Sequence, residues 1–208
     1  YVSELTPWVG PLHGGTRVQV LGSNFKDAAS WKCRFRSGTK VVHARFVDSS
    51  QLECSSPDQT NIGSKEVEVS MNAQQYTDTD VAFEYQAKAR VSSVTPAQGM
   101  REGATLVTVN GGSFSARSAA LSYLHCRFNT TVVRAERYDA AKVVCKPTSM
   151  SAGYATVEVS NNMREYSADG VQFEFVAVSV TKISPWTGSI EGITTVSYTH
   201  LTLPTTYH

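Results

Sequence analysis

Short stretches in which hydrophobic and polar residues alternate recur along the whole chain. In each stretch the valines or aromatic residues occupy every second position, as in RVQV, LVTV, VEVS, FEY and FEF. The stretches lie at 17–20, 67–70, 83–85, 106–109, 157–160 and 173–175. A period of two predicts β-strands with one buried face, and the clusters of Gly, Ser, Asp and Asn between the stretches predict turns. Because no stretch shows a helical period, we predict an all-β protein.

The pattern is also repeated at a longer interval. Pro7 and Pro96 lie 89 residues apart, and Pro185 lies a further 89 residues along the 208-residue chain. Several short strands within each repeat of under ninety residues are typical of an immunoglobulin-like sandwich of two sheets. We therefore predict tandem immunoglobulin-like β-sandwiches, with domains at 1–88 and 89–178.

A third repeat begins at residue 179 and is cut short. Trp186 falls at the position of Trp8, but the match ends at about residue 195, so 179–195 is expected to be a truncated third domain. The last segment, 196–208, resembles a translated sequencing adapter and is expected to be a non-biological tail; a diverged strand is the alternative. Since the chain also opens at Tyr1, we interpret it as a fragment of a longer protein.

Composition removes several classes of function. The hydrophobic share is 41%, the charged share is 18% and the formal net charge is +1, so the chain has material for packed cores and no global attraction to nucleic acid. No apolar run is long enough to cross a bilayer, so a membrane would be reached only through a segment that this sequence lacks.

The four cysteines occupy matching places in the two repeats. Cys33 and Cys54 lie in the first, and Cys126 and Cys145 in the second, each on the side of its strand that should face inward. An even count with two per domain predicts one disulfide within each repeat and an oxidising compartment. Buried free thiols are the alternative interpretation.

Several motifs together resemble a known domain family. They are the Thr-Pro opening at 6–7, Gly-Gly-Thr at 14–16, Cys-Arg-Phe at 33–35 and 126–128, QLECSSP at 51–57 and VAFEY at 81–85. In this combination they resemble the IPT/TIG domain, over about residues 2–86 and 91–176. The second repeat departs mildly, with Gly103-Ala104-Thr105 in place of Gly-Gly-Thr.

The resemblance implies a function as well as a fold. The form with two cysteines is similar to extracellular family members, which implies a non-catalytic ectodomain module for protein binding, adhesion or spacing at the cell surface. Its partners would be an unknown protein ligand or neighbouring IPT/TIG domains, with no nucleic acid. The alternatives are an intracellular module of a DNA-binding transcription regulator and an accessory module of a carbohydrate-active enzyme.

Candidate catalytic, metal and cofactor sites are not found in the sequence. No histidine has a second ligand at metal spacing, and no nucleophile or phosphate-binding motif is present, so we expect no catalytic residues, metal or cofactor. Asp78 and Asp80 are better explained by a solvated turn than by calcium, because two carboxylates rarely fill its coordination shell. Lys32, Arg34 and Arg36 line the outer face of one strand, where Glu66 and Glu68 are expected to offset their charge.

Two further positions are candidates for surface roles. Asn129-Thr130-Thr131 is an N-glycosylation sequon, expected on an exposed edge. Trp8 could pack against a preceding domain or only against the loops of its own domain. The linkers at 86–90 and 176–179 are short and lack Gly-Ser runs, so neighbouring domains are expected to be held close together.

Overall fold

The computed structural model describes residues 1–36, 40–180 and six isolated positions, 184, 185, 187, 190, 201 and 202. The first domain consists of β1 (Val2–Thr6), β2 (Val9–Pro11), β3 (Arg17–Gly22), β4 (Lys32–Phe35), β5 (Val41–Asp48), β6 (Gln51–Ser55), β7 (Gly63–Ser70) and β8 (Ala82–Gln86). The second consists of β9 (Arg90–Thr95), β10 (Gln98–Met100), β11 (Val107–Gly112), α1 (Ala116–Ala120), β12 (His125–Phe128), β13 (Thr131–Asp139), β14 (Lys142–Cys145), β15 (Gly153–Ser160) and β16 (Gln172–Val176).

Both domains have the same strand order. In the first, neighbouring strands run β1-β3-β6-β5-β4-β7-β8-β2, and in the second the corresponding order is β9-β11-β14-β13-β12-β15-β16-β10. All pairs are antiparallel except β2 with β8 and β10 with β16, which are parallel. The predicted pair of immunoglobulin-like sandwiches is confirmed.

The ladder of the first domain folds over at β5. One half of β5 pairs with β4 and the other half with β6. In a flat sheet, strands two places apart lie about 9.5 Å from each other, yet the Cα atoms of Cys33 in β4 and Cys54 in β6 are 6.4 Å apart. The strands on the two sides of β5 therefore face each other as two layers.

The alternating residues form the core between these layers. Phe35, Phe83 and Tyr85 are fully buried, with the Phe35 and Phe83 rings 5.6 Å apart and the Phe83 and Tyr85 rings 5.0 Å apart, all edge to face. The second domain repeats this cluster with Phe128, Phe173 and Phe175. Edge-to-face contacts add about 1 kcal/mol each to the gain from burying the rings, so the aromatic pairs at 83–85 and 173–175 anchor the two cores.

A short helix in the second domain departs from the prediction of strands alone. Helix α1 spans five residues, which is too short to show a helical period in the sequence. Its start is fixed by Ser115, whose side chain accepts a hydrogen bond from the backbone N–H of Ser118. The helix occupies a place where the second repeat is longer than the first: Phe114 and Cys126 are 12 residues apart, whereas Phe25 and Cys33 are 8 apart.

The third repeat lies mostly outside the described residues. Ser179–Val180 and Leu201–Thr202 form a two-residue antiparallel pair, and the Ser184–Pro185 bond is cis, as are Thr6–Pro7 and Thr95–Pro96. Trp186 and most of the proposed tail at 196–208 are not described. The division at 179–195 and 196–208 therefore stays a prediction.

The turn after β2 gives a test of backbone strain. Gly14 and Gly15 have φ angles of 69° and 84°, and the second repeat has Gly103 at 85° and Ala104 at 66°. A Cβ at Gly14 would lie 2.6 Å from the backbone of Pro57, whereas a Cβ at Gly15 would meet nothing within 4 Å. Gly14 is required because a side chain would clash and because its φ is positive. Gly15 is required only because its φ is positive.

We expect Ala104→Gly to stabilise the second domain by about 1 kcal/mol, because a left-handed φ is costly for alanine and free for glycine. The reverse change, Gly15→Ala, should destabilise the first domain by a similar amount. Native-state hydrogen exchange of the slowest core amides in each domain measures both effects. If the slowest core amides of the second domain exchange at the same rate in Ala104→Gly as in the native chain, the backbone of Ala104 is not strained.

The buried phenol of Tyr85 should make the first domain sensitive to alkali. Burial raises the pKa of Tyr85, and its hydroxyl donates to the carbonyl of Pro57 at 2.9 Å. The unfolded chain then loses this proton first, so stability is complete below about pH 10 and is lost as the pH rises further.

Tyr85→Phe should remove this part of the alkaline decline, because phenylalanine has no hydroxyl to ionise. The place accepts this residue type, since Phe175 occupies the matching position in the second domain. Urea unfolding of both chains between pH 8 and 11 provides the measurement. Equal alkaline slopes in the two chains would show that Tyr85 is not responsible.

Candidate functional site at the domain junction

The two sandwiches meet through defined side chains. The first domain contributes Trp8 and Val9 around the start of β2, together with Glu84 and Gln86 from β8. The second contributes the helix α1, the loop that follows it and the turn after β15. In the linker between them Ala89 is buried, whereas Ala87 and Lys88 are exposed. A cavity of about 20 Å³ remains beside it, lined by 9–11, 86–89, 161, 162 and 165.

Trp8 is the centre of the apolar contact. It is 9% exposed, and its ring meets that of Tyr123 edge to face at a centroid distance of 6.2 Å. The guanidinium carbon of Arg117 lies 4.1 Å from the centroid of the Trp8 ring. A cation over the face of an indole is attracted by the negative ring face, by about 1 kcal/mol at a partly exposed site. Arg117 and Tyr123 therefore hold Trp8 from two sides.

Three polar contacts cross the junction beside Trp8. Arg117 Nη1 lies 3.2 Å from Glu84 Oε2, and Gln86 Nε2 donates to Ser115 Oγ at 3.1 Å. Asn162 Nδ2 donates to the carbonyl oxygen of Val9 at 2.9 Å. Because Val9 is only 1% exposed, breaking this last bond would leave the buried carbonyl of Val9 unpaired, whereas Asn162 Nδ2 would keep its bond to Glu165 Oε2.

Asn162 is positioned by its own turn. Its Oδ1 accepts hydrogen bonds from the backbone N–H groups of Arg164 and Glu165, which leaves Nδ2 facing Val9. Asn72 forms the same turn in the first domain, where Oδ1 accepts from Gln74 and Gln75. Asn72 is exposed, and among the described residues its recorded bonds stay within its own turn. One local structure thus serves as an interdomain contact in only one of its two copies.

The docking face of the second domain comes from the longer segment between Phe114 and Cys126. Ser115, Arg117 and Tyr123 all lie in this segment, and the first domain has no counterpart of α1 among its described residues. The face that receives Trp8 is therefore absent from the shorter repeat. On the other side, Ala97 replaces the tryptophan in the second domain.

The position of Trp8 differs from both placements considered from the sequence. It packs against the following domain, through Tyr123 and Arg117, in addition to its own domain. No local signal distinguishes these possibilities, because the residues that enclose Trp8 lie more than 100 positions away in the chain. The extra residues around α1 are the one sequence feature that could have indicated the contact.

The cysteines lie between the layers of each sandwich. Disulfides join Cys33 to Cys54 and Cys126 to Cys145, with sequence separations of 21 and 19 residues. Closing loops of this size stabilises a domain by about 3 kcal/mol in the chain-entropy description. The bonds are structural, because all four cysteines are at most 2% exposed.

The cationic strand face is neutralised by neighbouring carboxylates. Arg34 Nε lies 2.5 Å from Glu68 Oε2, and Arg36 Nη1 lies 2.6 Å from Glu66 Oε2. Arg34 also covers the ring of Tyr76 at 3.9 Å. The face is thus a set of ion pairs across β4 and β7, and it carries no excess positive charge from these two arginines.

Within the part of the chain that the structure describes, no three His, Cys, Asp or Glu side chains converge as metal ligands, so Asp78 and Asp80 belong to no such group. In the same residues, no helix is long and apolar enough to cross a membrane.

The sequon asparagine lies at the tip of a hairpin. Phe128 pairs with Thr131, so Asn129 and Thr130 form a two-residue loop between β12 and β13. Asn129 has a φ of 52°, which asparagine tolerates better than most residues, and its side chain is exposed.

Comparison with known proteins places this arrangement in a family. Residues 1–85 and 89–175 each match the IPT/TIG domain. Plexin-2 of Caenorhabditis elegans is 31% identical over 119 residues, which are 57% of this chain and 7% of the relative. Human Plexin-A3 is 25% identical over 224 residues, covering 96% of this chain and 11% of its own. The chain therefore spans only a small part of the curated relatives that it matches.

The fold is also found in solved structures. A structure of the full extracellular region of plexin A4, domains 1 to 10, matches with a TM-score of 0.57 at 19% identity, over 88% of this chain and 16% of that one. A second structure of the same region, with domains 1 to 8, matches with a TM-score of 0.50 at 18% identity, over 84% and 18%. At these identities the likeness concerns the fold.

Asn162→Asp, made together with Glu165→Gln so that no carboxylate faces the new one, should release the junction while keeping the turn, because Oδ1 is retained and the donor to Val9 is replaced by an acceptor. An unpaired buried group should weaken the junction by about 2 kcal/mol. Residual dipolar couplings provide the measurement: the two domains should share one alignment tensor in the native chain and have different tensors in the variant.

Asn72→Asp makes the same change in the matching turn and should leave the common tensor intact. A common tensor in Asn162→Asp as well would show that the bond to Val9 does not hold the domains together.

Proposed function

Because the chain belongs to the IPT/TIG domain family, we propose that it is a non-catalytic extracellular module in which two sandwiches are held at a fixed angle. It would act as a rigid spacer that presents its surfaces for protein binding or adhesion within a larger cell-surface or secreted protein. The observation that carries this proposal is the junction around Trp8. A flexible connection would need no aromatic pair, ion pair and buried asparagine across it.

The benefit of a fixed junction is entropic. Two domains joined by a loose linker sample many orientations, and a partner that needs both must restrict them at a cost in affinity. Here Ala89 of the linker is buried, and contacts from three places in the second domain hold the first. In a rigid pair of this kind, the position of one domain fixes the position of the other. A partner that binds both domains then does not have to restrict the linker.

The relatives agree with an extracellular location. The solved neighbours are described as parts of the plexin A4 extracellular region. The disulfides support the same compartment, since such bonds persist where thiols are kept oxidised. Protein partners are proposed on this basis, as neighbouring domains of the same polypeptide or as a separate ligand.

A non-reducing peptide map of the chain, secreted from a eukaryotic host, tests the location. We expect peptides linked through Cys33–Cys54 and Cys126–Cys145, and no alkylated thiol. As a matched control, a chain with Cys126→Ala and Cys145→Ala should retain the Cys33–Cys54 link.

Four free thiols in a folded, secreted product would contradict the extracellular assignment. In that case the intracellular module of a transcription regulator would become the better explanation. Mixed links between the two domains would contradict the pairing but not the compartment.

A further inference from the structure

The side chain of Asn129 is held in one orientation by the neighbouring strand. Its Oδ1 accepts hydrogen bonds from the backbone N–H of Thr156 at 2.8 Å and from Thr156 Oγ1 at 3.1 Å. The backbone N–H of Asn129 in turn donates to the carbonyl of Thr156. The amide oxygen thus continues the ladder between β12 and β15. Among the described residues no bond is recorded for Nδ2, which is the atom that N-glycosylation modifies.

A groove of about 520 Å³ begins at this asparagine. It is lined by 129–131, by 149–155 and by Phe175. Two serines and two threonines contribute hydroxyl groups to its lining, and one aromatic side chain, Tyr154, is 54% exposed there. Tyr154 and Thr156 lie on the same face of β15, two positions apart, which corresponds to about 7 Å along a strand. The tyrosine ring therefore lies within reach of a group attached to Nδ2.

We infer that Asn129 carries an N-linked glycan whose first sugar packs against Tyr154 in this groove. Pyranose rings present electropositive C–H groups on one face, and an aromatic ring presents a negative face to them. Hydroxyl groups along the groove can exchange hydrogen bonds with the sugar. The glycan would cover an exposed aromatic ring that the protein itself leaves open.

The chemistry at Asn129 is a simple transfer. Nδ2 attacks the anomeric carbon of an oligosaccharide linked to a lipid diphosphate. A C–N bond forms while the C–O bond to the diphosphate breaks, the lipid diphosphate leaves with the electron pair, and Nδ2 loses one proton. One hydrogen of the amide remains, and Oδ1 is unchanged, so both bonds from Thr156 are compatible with the modified residue.

The first domain supports the link between the sequon and the aromatic residue. Gly63 and Gly153 have φ angles of 127° and 132° at the start of β7 and β15, so Ser64 takes the place of Tyr154. The first domain has no Asn-X-Ser/Thr sequence. The exposed tyrosine and the sequon are thus present together in one repeat and absent together from the other.

The test uses the full chain, secreted from eukaryotic cells behind a cleavable leader. The glycan is trimmed by an endoglycosidase to a single N-acetylglucosamine that carries a ¹³C-labelled acetyl group. We expect the acetyl methyl signal to lie upfield of free N-acetylglucosaminyl-asparagine, because of the ring current of Tyr154. Asn129→Gln assigns the signal by removing it.

Two variants separate a contact from mere proximity. Tyr154→Ser, the residue of the first domain, should return the signal to the reference position, whereas Tyr154→Phe should keep it upfield. Amide spectra show whether each variant keeps the fold of the second domain. If the serine variant loses the fold, the phenylalanine variant and Tyr154→Leu make the same comparison.

An identical acetyl shift in the native chain and in Tyr154→Ser would overturn the packing on Tyr154. Secretion of the chain with an unmodified Asn129 would overturn the inference as a whole. The inference rests on the extracellular location proposed above, but its failure is distinguishable: the disulfide map tests the compartment, and the acetyl signal tests this groove.

Discussion

Each domain depends on the folding of one eight-stranded ladder onto itself. The alternating pattern gives every strand one apolar face, and a flat ladder would leave that face in water. Bending at β5 brings the two halves together so that Phe35, Phe83 and Tyr85 are fully buried. The disulfide between β4 and β6 joins the halves at this bend.

On the outer faces of the sheets, both domains place an arginine between a glutamate and a tyrosine. Arg34 bonds to Glu68 and covers Tyr76, and in the second domain Arg127 Nε lies 2.7 Å from Glu158 while its guanidinium covers Tyr166. Stacking an arginine on a tyrosine while it bonds to a carboxylate covers apolar surface without removing the charge from its partner. The repeat has kept this arrangement on a surface that contacts no other domain within the described residues.

The junction shows the opposite behaviour, because it differs between copies of one repeat. Asn72 and Asn162 form the same turn, yet only Asn162 reaches another domain. The difference arises from the residues around α1, which place Arg117 and Tyr123 against Trp8. The longer loop of the second copy therefore supplies the face on which Trp8 docks. The head-to-tail contact is heterologous, so each domain uses a different face toward its neighbour.

The sequence by itself determined the local structure and the repeat. Alternation, turn residues and paired cysteines are local signals, and they predicted the strands, the two domains and the buried faces because burial of one strand face is decided within a few residues. The helix α1 was missed, since five residues do not establish a period.

Only the tertiary structure decided the junction: Asn162 and Val9 are separated by 153 residues, and neither has a neighbour in sequence that indicates the other. The same holds for Asn129 and Tyr154: the turn after β12 and the strand β15 share a groove only because β12 pairs with β15. Contacts of this kind depend on strand order and domain orientation, and these are set by the packing of whole layers.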